Sequence, residues 1–518
     1  MDGRKTRRWW ALAALTLAVL AVGLDGTVLS VALPTLATDL HASTADLQWF
    51  VSGYTLVLAA ALLPAGLVGD RYGRKKVLQG ALALFGVGSL AVAYAPSAGA
   101  FIGARVLLGL GAAAIIPLSL SVLTVLFTPE ERPRAVGVWA TANFLALPLG
   151  PILGGWLLTN YWWGWAFLIN LPVVLLGLLA VTVLLPESRS TGRTGLDPVG
   201  VLTSSTGLAV VVYGVIRAGQ RGWGDPVALA VMAAGALVLV GFGLWERRLG
   251  RRPDGQPLID PDLFGSTSFT WGTILAAVGV FALFGVLFTA PQYFQAILGT
   301  DAMGSGLRLL PLIGGLAVGA SLADRIAARV GPRITVASGF ALLAVGLGVG
   351  ATTSLTRGTG FLSLWTPVVG LGMGFGLATA SAAALGALSP VRAGVGSAVM
   401  QAVNKVGAPF AAAILGSVLN ATYQGRLDLT GVPANVADGM RESVFAGVAA
   451  AHQLGSAPLL ASVRTAFVAG MDGMLWACAA IAVAGMVLAL AFLPGRAAAK
   501  ATPPPEPARL EDEAVARR

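Results

Sequence analysis

The chain is poor in charge and nearly devoid of the side chains that hold metals or do covalent chemistry. Of its 518 residues 11% are charged, one is cysteine and two are histidine, whereas 56% are hydrophobic. Cys478 lies alone in an apolar stretch, so it closes no intrachain disulfide and reads as a small buried hydrophobe. His41 and His452 are far apart, and no cluster of His, Cys or carboxylates accompanies either. That argues against an enzyme, and neither a metal nor any other cofactor is expected. The Gly-x-x-x-x-Gly-Lys-Ser/Thr loop that cradles ATP phosphates is also missing, which disfavours a primary pump.

A mean hydropathy of +0.79 leaves too little polar surface for soluble domains, so the bilayer must be the solvent. The net charge is +10. Nucleic acid is not the expected partner, because no basic stripe is interleaved with aromatics and the basic residues sit in short loops between apolar runs.

Crossing about 30 Å of hydrocarbon takes about 20 apolar residues. Such runs recur fourteen times, from 11–33 to 466–493, with the seventh and eighth at 198–217 and 227–245. Arg4, Lys5, Arg7 and Arg8 precede the first run, which continues through Leu33 without a cleavage site and reads as a retained helix. Lys and Arg are held on the cytoplasmic side of short loops. Fourteen spans with both termini cytoplasmic place Arg71, Arg74, Lys75 and Lys76, the cluster of Glu246 with Arg247, Arg248, Arg251 and Arg252, and Arg325, Arg329 and Arg333 on that side. The segment Ala421–Thr465 then falls outside, with Val444–Leu454 expected as an interfacial helix. The polar, proline-rich tail 496–518 is expected to be disordered.

Three stretches carry the mechanism. The first cytoplasmic loop holds Gly66, Gly69, Asp70, Arg71, Gly73, Arg74, Lys75 and Lys76. Glycines there permit a sharp reversal, and Asp70 can accept from a helix N-terminus or pair with a basic residue across the cytoplasmic face, latching one conformation. The fifth run contains Pro148, Gly150, Pro151, Gly154 and Gly155; Pro151 removes a backbone donor while the glycines open a smooth surface for close helix packing. The first run contains Asp25 within Leu24-Asp25-Gly26-Thr27-Val28, an acid inside a span. Such a group costs about 2.5–3.5 kcal/mol on insertion scales unless it faces a wet cavity. Asp25 either takes up protons or faces substrate, or else accepts a structural hydrogen bond.

Together these stretches resemble the major facilitator superfamily, and within it the fourteen-helix drug–proton antiporters, actinobacterial ones included. Gly150-Pro151-x-x-Gly154-Gly155 is similar to their antiporter motif, and Leu24–Pro34 to their first-helix pattern, with Ser30 in place of Asn. Arg105, followed by Gly109, resembles their Arg-x-x-Gln-Gly pattern with Leu108 replacing Gln. The matches continue through Trp165–Pro172, Pro186-Glu187-Ser188, Gly306–Pro311 and Gly370–Gly374. Ala323-Asp324-Arg325…Gly331-Pro332-Arg333 looks like a degenerate second copy of the Asp70 loop, as parallel repeats require.

The resemblance implies an all-α fold of six plus two plus six helices. Residues 1–190 would form one bundle, 191–252 an inserted pair with no strong intramembrane charge, and 253–495 a second bundle. It implies a monomeric multidrug or antibiotic efflux pump in the cell membrane, using the proton gradient to export amphipathic or cationic small molecules. Asp25, Arg105 and Asp472 would couple the fluxes, although Asp472 also reads as a solvated carboxylate and Arg105 as a structural tie. Lys405 could snorkel to the cytoplasmic interface. Trp49, Tyr54, Trp139, Phe144, Tyr293 and Phe294 would line the drug cavity or else belong to belt and core. A solute importer of the same superfamily and a membrane receptor are the alternatives.

Overall fold

A computed structural model describes residues 2–128, 131–188, 197–252, 255, 257–259, 261–355, 358–388 and 390–495. All regular structure among them is helical. The first group is α1 (Asp2–Asp39), α2 (Thr44–Tyr72), α3 (Arg74–Ala93), α4 (Ala98–Leu126), α5 (Arg132–Asn160), the short α6 (Trp165–Leu168) and α7 (Asn170–Leu184). Next come α8 (Pro198–Arg221) and α9 (Pro226–Gly250). The last group is α10 (Thr267–Gln292), α11 (Ala302–Arg308), α12 (Leu310–Val330), α13 (Pro332–Gly350), α14 (Gly358–Gly386), α15 (Pro390–Arg426), α16 (Ala434–Glu442), α17 (Val444–Gln453) and α18 (Ala457–Phe492).

In hydrocarbon every backbone amide must find its partner within the helix, and the ends need caps where water is scarce. Side chains of Ser43, Ser97, Asp197, Asp225, Ser266, Asp301 and Ser456 accept from the first-turn amides of the helices they precede. Pro291 ends the regular ladder of α10, and a π-turn at Tyr293–Ile297 follows it. Among the described residues thirteen helices or helix pairs are long and apolar enough to cross a membrane. Helix α5 is not among those thirteen; its 29 residues reach about 43 Å at ~1.5 Å per residue.

The apolar core is divided. Two clusters are built chiefly from α1–α7 and one large cluster from α10–α18. Helices α8 and α9 pack on each other through Gly207, Gly214 and Gly235, where a Cβ would meet the opposing helix at 2.6–2.8 Å. Helix α8 then lies in the groove between α2 and α15: Val212, Val215 and Ile216 bury against Ala45, Leu56 and Ala413. Ser417 and Asn420 of α15 donate to the Val215 and Gly219 carbonyls at 3.0 and 3.4 Å. The inserted pair thus touches both groups.

Three expectations need correction. Glu246 was grouped with the basic cluster after the eighth run, yet it is buried and accepts from the Ile259 amide at 2.9 Å. Its carboxyl and that of buried Asp197 converge on the space that a Cβ of Gly200 would fill, because the tight turn at Pro261 folds back on the base of α9. The segment around Val444–Leu454 does not offer its apolar face to lipid: Val444, Gly447 and Ala451 of α17 are buried, and α17 packs on α18. Helix α18 accordingly begins at Ala457, so Asp472 lies well inside it rather than near its end. The tail 496–518 falls outside the described residues.

The parallel repeat is visible in how each group fastens its second helical turn. Gly73 (φ 115°) links α2 to α3, and the Arg74 amide donates to the Ser188 carbonyl at 2.9 Å, just beyond α7. Gly331 (φ 89°) links α12 to α13, and Arg333 Nε donates to the Leu493 carbonyl at 2.6 Å, just beyond α18. In both, the turn docks on the end of its group's last helix.

Candidate functional site

Asp25 is carried by α1 and Arg105 by α4, and both are almost completely buried. Their side chains meet at 2.5 Å from Arg105 Nη1 to Asp25 Oδ2. Arg105 Nε donates to the Phe50 carbonyl at 3.1 Å, and the guanidinium sits 4.3 Å from the centroid of the Tyr54 ring. Two charges this deep are tolerable because each answers the other and the remaining donors find a carbonyl and a π face. Removing one partner of such a pair typically costs about 3–5 kcal/mol.

Tyr54 touches both this pair and a central cavity of about 400 Å³ between the two groups. The cavity wall includes Gly23, Gly26 and Thr27 of α1, Thr55 and Leu58 of α2, Leu283 and Phe284 of α10, Leu377 and Ser381 of α14, and Gln401, Asn404 and Lys405 of α15. Asp25 and Arg105 are not in the wall; they lie behind it.

The glycine-rich stretch of α5 is pressed between the groups. A Cβ on Gly150 would collide with Thr27, and one on Gly154 would lie 2.9 Å from Val28, both on α1. A Cβ on Gly155 would lie 2.8 Å from the Ala302 carbonyl oxygen of α11, and one on Gly306 would strike the Pro151 carbonyl. Thr27 Oγ1 donates to the Ala146 carbonyl at 3.0 Å, a further tie between α1 and α5.

Further hydrogen bonds between the groups cluster at the same end. Thr44 donates to the Glu442 carbonyl at 2.7 Å, Ser52 to the Pro409 carbonyl at 3.3 Å, and Gln295 to the Val31 carbonyl at 3.1 Å. At the opposite, basic end, Asp70 pairs with Arg74 at 2.8 Å, Lys75 Nζ donates to the Thr182 carbonyl at 2.7 Å, and the Lys75 amide donates to Glu187 at 3.1 Å. Gly73 is required twice over, by its positive φ and because a Cβ would lie 2.6 Å from the Glu187 carboxylate. Gly66 packs near Pro117, and Arg71 is exposed over the Tyr72 ring. All these partners belong to α2–α7 or to the segment just beyond α7, so Asp70 forms no bridge to the second group among the described residues.

The structure therefore brings together Asp25, Arg105 and Tyr54, and separately Asp70, Arg74, Lys75 and Glu187. Asp472 is elsewhere, on α18, with one buried carboxylate oxygen lacking a partner among the described residues and Tyr293 as its titratable neighbour. Of the five aromatics considered from sequence whose side chains are described, Tyr54 is the one in the cavity wall. Trp49 packs with the α8 cluster, Trp139 is buried and donates to Ser119 at 3.0 Å, and Tyr293 and Phe294 are fully buried edge to face in the second core. Helical periodicity turns each of those away from the cavity. The side chain of Phe144 lies outside the described residues.

Sequence reasoning missed two features. Glu187 was seen only as part of a motif, whereas it anchors the Gly73 turn. Gln401, Asn404, Lys405 and Ala408 recur at helical spacing on one face of α15, a pattern readable in the chain once that face is known to be wet.

Comparison with known proteins agrees with this architecture. Residues 15–412 match the model of the Major Facilitator Superfamily. The tetracenomycin C resistance and export protein of Streptomyces glaucescens is 32% identical over 94% of this chain and 92% of its own length. The multidrug efflux pump LfrA of Mycolicibacterium smegmatis is 33% identical over 95% and 96%. The puromycin resistance protein pur8 of Streptomyces alboniger is 36% identical over 85% and 87%. Among solved structures, a bacterial homolog of the human lysosomal transporter Spinster, inward-facing and unoccupied, superposes with a TM-score of 0.68 at 17% identity, covering 94% of this chain and 98% of that one. With its divided helical core, central cavity and family match over most of its length, the chain belongs to the major facilitator superfamily: it is a multi-pass membrane transporter and not an enzyme.

Proposed function

We propose that the protein is a proton-coupled exporter that carries small amphipathic molecules of the drug or antibiotic class out of the cell by alternating access. The observation that carries this reading is the Asp25–Arg105 pair, sealed behind Tyr54 and next to the cavity. The relatives named for antibiotic resistance and multidrug efflux support the direction of transport. In this reading α5 is a span too and brings the total to fourteen, both termini are cytoplasmic, and α8 and α9 are an insertion between two six-helix bundles, 1–190 and 253–495. The protein works as a monomer with the proton gradient as its energy source and no cofactor.

On this orientation the basic end is cytoplasmic and the closed seam faces outward, so the cavity is offered to the cytoplasm. A proton on Asp25 removes the partner of Arg105 and leaves the guanidinium held by the Phe50 carbonyl and the Tyr54 ring alone. That uncompensated cation in a low-dielectric site is costly, and relieving it must move Arg105 or Tyr54. Because Tyr54 is also cavity wall, protonation and cavity shape are linked through one ring. The outward seam, with Gly150, Gly154 and Gly155 flush against α1 and α11, is what must part for release. The Asp70, Arg71, Arg74 and Lys75 turn, anchored on Glu187, moves as one piece with α2 and α7 at the cytoplasmic gate.

Everted membrane vesicles energised with a pH gradient test this with puromycin and tetracenomycin C as first probes. Uptake into the vesicles should collapse when a protonophore dissipates the gradient. Uptake that is unaffected by the protonophore, or absent for every amphipathic probe, would overturn the proposal.

A further inference from the structure

The cavity has a sign. Among the described residues no carboxylate lines it: Asp25 lies behind the wall, neutralised by Arg105, and Asp324, one turn beyond Ala320 on α12, is exposed and outside the lining. One charged side chain among the described residues reaches the cavity itself, Lys405 of α15. It has no ion-pair or hydrogen-bond partner among the described residues. It does not snorkel to the basic end, because its neighbours Gln401, Asn404 and Ala408 place it on the face of α15 that looks across at Tyr54 and Thr27. Asn404 Oδ1 is likewise buried without a partner. An ammonium and an amide left unanswered in a wall that is otherwise mostly apolar lack one thing, an acceptor of negative charge beside a hydrogen-bond donor.

We infer that Lys405, with Gln401 and Asn404, is the substrate-recognition stripe, and that the preferred cargo is an amphipathic acid: a flat or compact apolar body carrying one carboxylate, sulfonate or ionised phenol. This rests on the exporter reading and narrows the expectation of an amphipathic or cationic drug to an anionic one, since a quaternary ammonium would meet Lys405 with no carboxylate in the lining to offset it. The apolar body lies against Phe284, Leu283 and Leu58, and the anionic end is held by Lys405. A cavity of about 400 Å³ suits a ligand of two or three fused rings.

The test uses a matched pair of probes, dansylglycine (anionic) and dansylamidoethyl-trimethylammonium (cationic), binding to the purified full-length protein in nanodiscs and read by dansyl fluorescence. Dansylglycine should bind the wild type at least tenfold more tightly than the cation. Lys405→Gln should erase that preference, Lys405→Arg should keep it, and Lys405→Glu should reverse it, all with unchanged thermal unfolding. Equal or tighter binding of the cation to the wild type, an unchanged ratio in Lys405→Gln, or binding of neither probe overturns the inference. Vesicle uptake of both probes separates this outcome from the parent proposal: gradient-driven transport that favours the cation would sink the charge preference alone and leave proton-coupled export standing.

Discussion

The two helical groups share a plan and differ in where they keep their charge. In α1–α7 the charges are paired: Asp25 with Arg105 deep in the bundle, and Asp70 with Arg74, partly buried, at the turn that Glu187 anchors. In α10–α18 the corresponding turn keeps its positive-φ glycine and its docking on the last helix, but Asp324 is exposed and makes no ion pair among the described residues. The deep groups there, Lys405 and Asp472, are likewise outside any ion pair. A duplicated scaffold has thus been divided by electrostatics. One half holds charge in answered pairs, which suits a proton-driven switch, and the other leaves charge unanswered, which suits a ligand.

That contrast can be broken most forcefully at the deep residues. Arg105→Ala strands a buried carboxylate and should lower stability by about 3–5 kcal/mol, whereas Asp25→Asn combined with Arg105→Gln should lose clearly less than the summed singles. Lys405→Gln, which removes a charge with nothing to answer it, should leave stability within about 0.5 kcal/mol or raise it. Thermal unfolding of the five purified variants, the two singles of the pair included, decides; equal losses at Arg105 and Lys405 would contradict the paired-versus-unpaired division.

The seam comes next. Gly155→Leu forces a side chain into the Ala302 backbone and should cost about 1–3 kcal/mol while preventing the outward face from closing. Cysteine-reactive labelling at Thr159→Cys should then rise from the outer side, and transport should stop; unchanged labelling would remove α5 from the seam.

Smaller effects separate the two turns. Gly73→Ala meets both an unfavourable φ and the Glu187 carboxylate, and should cost about 1–3 kcal/mol, more than Gly331→Ala, where φ is the identified obstacle. Chemical denaturation ranks the two, and the reverse order would mean that Glu187 does not anchor the first turn. Smallest of all, Asp70→Asn breaks a half-exposed pair worth about 0–1 kcal/mol yet should slow transport, while Asp324→Asn should change neither stability nor rate measurably. A rate loss at Asp324 equal to that at Asp70 would erase the functional asymmetry of the repeat.

Much of this was legible in the chain. Apolar run length, capping residues and punctuating glycines mark most spans, because lipid forces each helix to satisfy its own backbone. Asp25 and Arg105 stand out singly for the same reason, since an ionised group in a span demands an explanation. Their pairing with each other and with Tyr54 was not readable, because nothing in sequence separation fixes which faces of α1, α2 and α4 meet. The aromatics show the converse problem. Trp49, Trp139, Tyr293 and Phe294 have the composition of a drug pocket, but the rotation of each helix sends them into core, and rotation is set by packing partners. Glu246 read as part of the cytoplasmic Glu246–Arg252 cluster, and its burial was not readable because the fold-back at Pro261 carries no periodic signal. The α15 stripe was hidden for a related reason: Gln401, Asn404 and Lys405 look like an ordinary polar interface until a cavity is seen opposite them.

The central claim is that Asp25 couples proton to cargo, and it separates from mere binding in one comparison. Reconstituted wild-type protein and Asp25→Asn are assayed for exchange of labelled dansylglycine at equal pH on both sides, and for its accumulation against a concentration gradient when a pH difference is imposed. The account predicts that Asp25→Asn still exchanges the probe but no longer accumulates it. Accumulation by Asp25→Asn at the wild-type level would contradict it.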